Sequence, residues 1–117
     1  MTSTKYIGGF PSEMAIMALL GTSGAVGAAD ETAARVLARQ SNCFKCHAVE
    51  KKKDGPAWRD VALKYRDKSD AEAKLTYHIT SGEAVKFADG HTEDHTIVKS
   101  NDPKEIKNLV DWILSLQ

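Results

Sequence analysis

The sequence predicts an all-α domain of about four helices. Three observations carry that prediction. Apolar residues recur at intervals of three and four, most clearly at Ile106, Leu109, Val110 and Ile113, where Trp112 and Leu116 broaden the stripe. Helix start and stop residues bracket the periodic segments. No segment shows the strict alternation of a half-buried strand, and no internal repeat appears. At 117 residues the chain has room for one domain.

Taken in order, residues 1–29 read as an export signal. Met14 to Leu20 forms a short apolar core, and small residues from Gly21 to Ala29 offer cleavage sites at Val26-Gly27-Ala28 and Gly27-Ala28-Ala29. The mature domain then begins at Ala29 or Asp30 and runs to Gln117. A single Lys5 and the nearby Glu13 are atypical of a signal, so a retained N-terminal anchor is the alternative. The apolar stretch is too short and too interrupted by Gly, Ser and Thr to span a bilayer.

The first helix is expected over 31–41, capped by Asp30 or Thr32, with Ala33, Val36, Leu37 and Gln40 on one face. Gly55-Pro56-Ala57-Trp58 leads into a second helical pattern with Val61, Ala62 and Tyr65. A third helix, about Asp70 to Thr80, ends at Gly82, a residue suited to a left-handed C-cap. Residues 83–101 have no clean period. Asp102 caps the last helix, Pro103 takes its first position, and Glu105 completes a box-like start.

Between the first two helices lies Cys43-Phe44-Lys45-Cys46-His47, a Cys-x-x-Cys-His run. This spacing is the attachment signature of a c-type haem. Two thiols three positions apart can each form a thioether with one vinyl group, and the following His is placed to bind the iron. Three rivals fit less well. A thioredoxin-like motif needs a preceding strand, and a zinc site needs four ligands, where only two cysteines exist; a Cys2His2 site with distant histidines stays open but lacks the usual spacing. A disulfide this short would restrain little chain.

Sixteen basic residues balance sixteen acidic ones, so net charge argues for neither nucleic acid nor a membrane surface. The charge is unevenly spread, however. Lys45, Lys51, Lys52, Lys53, Arg59, Lys64, Arg66 and Lys68 crowd the half around the motif, whereas Glu83, Asp89, Glu93 and Asp94 mark the segment before the last helix. Lys51 to Lys53 can be a solvated turn, or a positive collar that orients acidic redox partners.

Together, the leading helix, Cys43-x-x-Cys46-His47, Gly55-Pro56-Ala57-Trp58-x-x-Val61-Ala62-x-Lys64-Tyr65, Leu75-x-x-x-Ile79-x-x-Gly82 and Leu109-Val110-x-Trp112-Ile113-Leu114 resemble the small bacterial class I cytochromes c. The resemblance covers nearly all of 30–117. It implies a class I cytochrome c fold wrapped around one covalent haem c, with the first and last helices crossing. It places Cys43, Cys46, His47, Pro56 and Trp58 at the cofactor, with the Pro56 carbonyl bonded to the His47 imidazole.

One departure matters more than the match. The family supplies the sixth iron ligand from a methionine between the third and last helices. Here the three methionines are Met1, Met14 and Met17, all within the expected signal. Counting back from Trp112 puts His95 where the family has methionine; counting forward from Gly82 points nearer His91. An open site, water or a lysine is the remaining possibility, with both histidines then surface residues. His78 is expected to face solvent. Glu93 and Asp94 could hydrogen-bond a distal His95 or simply be solvated.

The expected function is an exported, periplasmic electron carrier without catalysis of its own, either a shuttle or the haem subunit of a larger oxidoreductase. Two imidazoles would give it a low potential. The alternative is a haem sensor that binds nitric oxide or carbon monoxide through a labile distal His. A peroxidase is the weakest reading, because it wants an open site with a positioned acid–base group.

Overall fold

In the computed structural model, residues 28–117 and Gly8 are described; the expected signal at 1–29 therefore lies almost wholly outside the described residues. Four helices follow in order: α1 (Glu31–Gln40), α2 (Trp58–Tyr65), α3 (Ala71–Ser81) and α4 (Pro103–Ser115). A short 3-10 turn over Cys43–Lys45 lies between α1 and α2, and two strands, β1 (Ala84–Lys86) and β2 (Thr92–Asp94), lie between α3 and α4.

The capping signals set the boundaries. The Asp30 carboxylate accepts from the Ala33 amide, and Asp102 accepts from Lys104 with Pro103 opening α4. Gly82 ends α3 in the left-handed region at φ 67°. The first amides of α2 would otherwise be orphaned, since Ala57 offers no side-chain cap. Trp58 and Arg59 instead donate to the carbonyls of Ala48 and Val49, which fastens the motif loop onto the start of α2.

Helix α4 is the hub, packing against α1, α2 and α3. It buries Leu109, Val110, Trp112 and Ile113. Where α1 crosses it, the buried face is Ala34, Leu37, Ala38 and Ser41 rather than the Ala33–Val36 face expected; Val36 is left 42% exposed. Small side chains at Ala34 and Ala38 allow the two backbones to approach closely, so closeness of fit outweighs the greater hydrophobicity of Val36. Asn108 locks the same crossing, accepting from the Asp30 amide at 2.8 Å and donating to its carbonyl at 2.9 Å.

The β-hairpin corrects the expectation of no strands. Its register pairs Ala84 with Asp94, Val85 with Glu93 and Lys86 with Thr92. Each strand is three residues long and mostly exposed, so burial imposes no alternation on the sequence. The turn makes it: Phe87 donates to the His91 carbonyl, Gly90 donates to Phe87, and Gly90 takes φ 94°, where a side chain is disfavoured.

Candidate haem site

The motif, α2, α3, the hairpin and α4 surround one cavity of about 1130 Å³. Val98, Leu109, Val110 and Ile113 contribute apolar wall, and Cys43, Cys46, His47, Pro56, Trp58, His78 and His95 also line it. Sequence-distant residues thus converge on one apolar space with two thiols and three imidazoles.

His47 is fixed from several sides. Its Nδ1–H donates to the Pro56 carbonyl at 2.8 Å, as the family resemblance implies, which leaves the Nε2 lone pair for a metal. Its ring stacks against Trp58, with centroids 5.6 Å apart. Gly55 makes room: a Cβ there would lie 2.4 Å from His47 Cε1. Burial, partly offset by the Pro56 bond, lowers the His47 pKa and keeps the imidazole neutral and able to coordinate. Trp58 in turn meets Trp112 edge to face at 5.6 Å, which ties the site to the helix crossing.

The two candidate distal histidines differ sharply. His95 is half-buried on the cavity wall, its amide donating to the Glu83 carbonyl at 2.9 Å and its Nδ1–H to the Thr96 carbonyl, also at 2.9 Å. Burial lowers its pKa as well. His91 is exposed in the hairpin loop, bonded through Nδ1 to Asp89 and stacked on Phe87 at 4.4 Å. It is not among the residues lining the cavity. The His47 and His95 ring centroids are 6.1 Å apart. One metal ion with nitrogen about 2 Å away on each side holds two imidazole centroids roughly 6 Å apart.

Other expectations near the site need correction. His78 does not face solvent; it is half-buried, lines the cavity and has its centroid 4.0 Å from that of His95. The reason is the pitch of α3, whose buried Ala71 and Leu75 turn His78 onto the same inward side. Glu93 and Asp94 line the cavity, but the partner of His95 Nδ1 is the Thr96 carbonyl. Of the lysine run, Lys53 folds back, its ammonium donating to the Phe44 carbonyl at 2.6 Å.

Sequence reasoning also missed Ser41, and it read Glu83 only as one of the acidic residues before the last helix. Ser41 is wholly buried, and its hydroxyl accepts from the Lys99 amide at 2.9 Å, which pins the segment after His95 to the end of α1. A serine just after a helix and an acid just after a C-cap glycine are ordinary in composition, so neither carried a signal.

The residues present therefore fit a covalently held haem: two thiols, an imidazole with its tautomer fixed beside them, a second half-buried imidazole with its centroid 6.1 Å from the first, and apolar walls. Comparison with known proteins agrees. The family model described as "Cytochrome c" matches residues 32–117.

The chain belongs to the cytochrome c family.

Cytochrome c-552 of Nitrosomonas europaea is 40% identical over 81 residues, 69% of this chain and 76% of that protein. Cytochrome c2 of Rhodocyclus tenuis is 39% identical over 90 residues, covering 76% of this chain and 95% of the relative. Among solved structures, the class 1 cytochrome MtoD from Sideroxydans lithotrophicus ES-1 superposes with TM-score 0.72 at 61% identity, over 75% of this chain and 97% of that one. The fold is thus that of the class I cytochromes with a small two-stranded sheet added to four helices. As a cytochrome c with Cys43 and Cys46 in the attachment spacing, the chain carries one covalently bound haem c and transfers electrons. Among the described residues no helix is long and apolar enough to cross a membrane.

Proposed function

We propose that this cytochrome is an exported, periplasmic one-electron carrier whose haem iron is held between His47 and His95. It would act as a diffusing shuttle or as the haem subunit of a larger oxidoreductase. One observation carries the ligation: two imidazoles lie with their ring centroids 6.1 Å apart, each with Nδ1 tied to a backbone carbonyl. The tie matters because it fixes the tautomer, leaving Nε2 of each ring as the donor. All three methionines lie at or before residue 17, which supports nitrogen rather than sulfur in the sixth position.

Bound there, the haem supplies a one-electron couple, and a second nitrogen in place of thioether sulfur lowers its potential. The chain's own part is to hold both imidazoles in place and to keep water from the iron's surroundings. His47 is braced by Pro56, Gly55 and Trp58; His95 is braced by Glu83 and Thr96. A setting that changes little between oxidation states suits fast transfer. Exposed Lys45, Lys51 and Lys52 offer acidic redox partners a docking surface beside the attachment motif.

The test compares His95→Ala with His91→Ala in purified haem-loaded protein. Wild-type ferric protein is expected to be low spin without the far-red charge-transfer band of methionine sulfur, and the reduced form is expected to bind carbon monoxide poorly. His95→Ala should turn high spin and His91→Ala should not. An unchanged His95→Ala spectrum refutes the assignment. Ready carbon monoxide binding by the wild type would instead favour the small-ligand sensor.

A further inference from the structure

We propose that His78 and Glu83 form a positioning pair that sets the ring plane of His95. The inference rests on His95 being the sixth ligand, the reading given above. A ligated imidazole has one soft coordinate left, rotation about its bond to the metal. The Thr96 carbonyl alone restrains that rotation poorly, because Thr96 is the next residue and moves with His95. A restraint from another element is needed, and α3 supplies one.

The His78 ring projects from the last turn of α3 and packs on the His95 ring, with centroids 4.0 Å apart and planes inclined at 46°. His78 is itself held, its Nδ1–H donating to Glu83 Oε1 at 2.6 Å. The Glu83 carbonyl accepts from the His95 amide at 2.9 Å. One residue therefore grips both the backbone of His95 and the ring that bears on its side chain. Two neighbouring contacts stiffen the frame. Val98 donates to the Ile79 carbonyl at 2.8 Å, and left-handed Gly82 lets the returning chain pass closely, a Cβ there meeting Ile97 Cδ1 at 3.2 Å. Neither His78 nor Glu83 is required as a metal ligand for this role. They act through His95.

The readout follows from the geometry. The His47 and His95 rings are inclined at 48° to each other. The angle between two axial imidazole planes governs the splitting of the iron d orbitals, so it sets the largest g value in the ferric electron paramagnetic resonance spectrum. A free ring samples many angles and broadens that feature; a clamped ring gives one narrow line.

The experiment records frozen-solution spectra of haem-loaded wild type, His78→Ala, Glu83→Gln and His95→Ala. Wild type should give one narrow low-spin species. His78→Ala should remain low spin while its largest g value shifts and broadens. Glu83→Gln keeps a side-chain acceptor and the Glu83 carbonyl, so its shift should be smaller and in the same direction. A g value and linewidth unchanged in both variants overturns the positioning role, yet leaves His95 as ligand. A His95→Ala spectrum identical to wild type overturns the ligation, and the positioning role with it. If His78→Ala yields no folded protein, Glu83→Gln decides alone: a shifted line supports the pair and an unchanged one refutes it.

Discussion

Gly55→Ala tests whether the proximal side depends on one missing methyl group. In this structure a Cβ on residue 55 would lie 2.4 Å from His47 Cε1, 2.8 Å from Nδ1 and 3.0 Å from Nε2, where ordinary contact begins at 3.4 Å. Something must move by about an ångström, and overpacking of that kind costs about 1–3 kcal/mol. The backbone at Gly55 is poorly placed to retreat. Its amide donates to the Cys46 carbonyl at 2.7 Å, and its carbonyl accepts from Lys53 at 3.0 Å. The ring must therefore move, which disrupts the 2.8 Å bond it makes to the Pro56 carbonyl. Losing that bond adds about 0.5–1.5 kcal/mol.

The expected total is about 1.5–4.5 kcal/mol, which for a domain of this size lowers Tm by roughly 6–36 °C. The visible spectrum should show a weakened proximal bond as partial high-spin character. Gly90→Ala is the matched control. Nothing lies within 4 Å of a Cβ there, but φ is +94°, so only backbone strain of about 1–2 kcal/mol in the hairpin turn is expected, with the spin state intact. The reasoning is refuted if Gly55→Ala melts within about 2 °C of wild type with an unchanged spectrum.

Two further predictions concern other parts of the molecule. Ser41→Ala removes the hydroxyl that accepts from the Lys99 amide and should cost about 1–3 kcal/mol in thermal or urea unfolding; an unchanged midpoint would mean another acceptor replaces it. Electron exchange with an acidic partner should slow as salt is added, and substituting Lys51 and Lys52 with Gln should flatten that dependence; a rate indifferent to ionic strength removes the docking surface proposed here.

What the sequence disclosed follows a physical division. Features set by neighbours along the chain were legible: the Asp30 and Asp102 caps, Pro103 at the start of α4, Gly82 at the end of α3, and the Cys43–His47 run. The stripe on α4 was legible because that helix is the hub and packs on three others, so a wide apolar face is imposed on it. Helix α1 has a single crossing, and its inward face is chosen by the small size of Ala34 and Ala38, which hydrophobicity alone does not register. The hairpin was hidden because exposed strands carry no alternation. Its sole trace was Asp89-Gly90 in the turn.

The same division separates the two sides of the haem site. The proximal imidazole is held by residues within eleven positions of it, Gly55, Pro56 and Trp58, so a motif can announce it. On the distal side, His95 is held by the Glu83 carbonyl and by the His78 ring on α3, while Ser41 on the end of α1 pins the chain just beyond it. Two of these restraints, the Glu83 carbonyl on the His95 amide and the Ser41 hydroxyl on the Lys99 amide, act on backbone amides of the distal segment, which any residue type but proline supplies. With His95 as the sixth ligand proposed above, exchange of that ligand would need few changes in sequence, because these two restraints on the segment that presents position 95 do not use its side chain. A direct consequence is that His95→Met should fold with a Tm close to that of wild type while its potential rises, since the Glu83 and Ser41 bonds use groups the substitution leaves in place. A large loss of stability in that variant would show that the imidazole itself, through Thr96 and His78, holds the distal segment together.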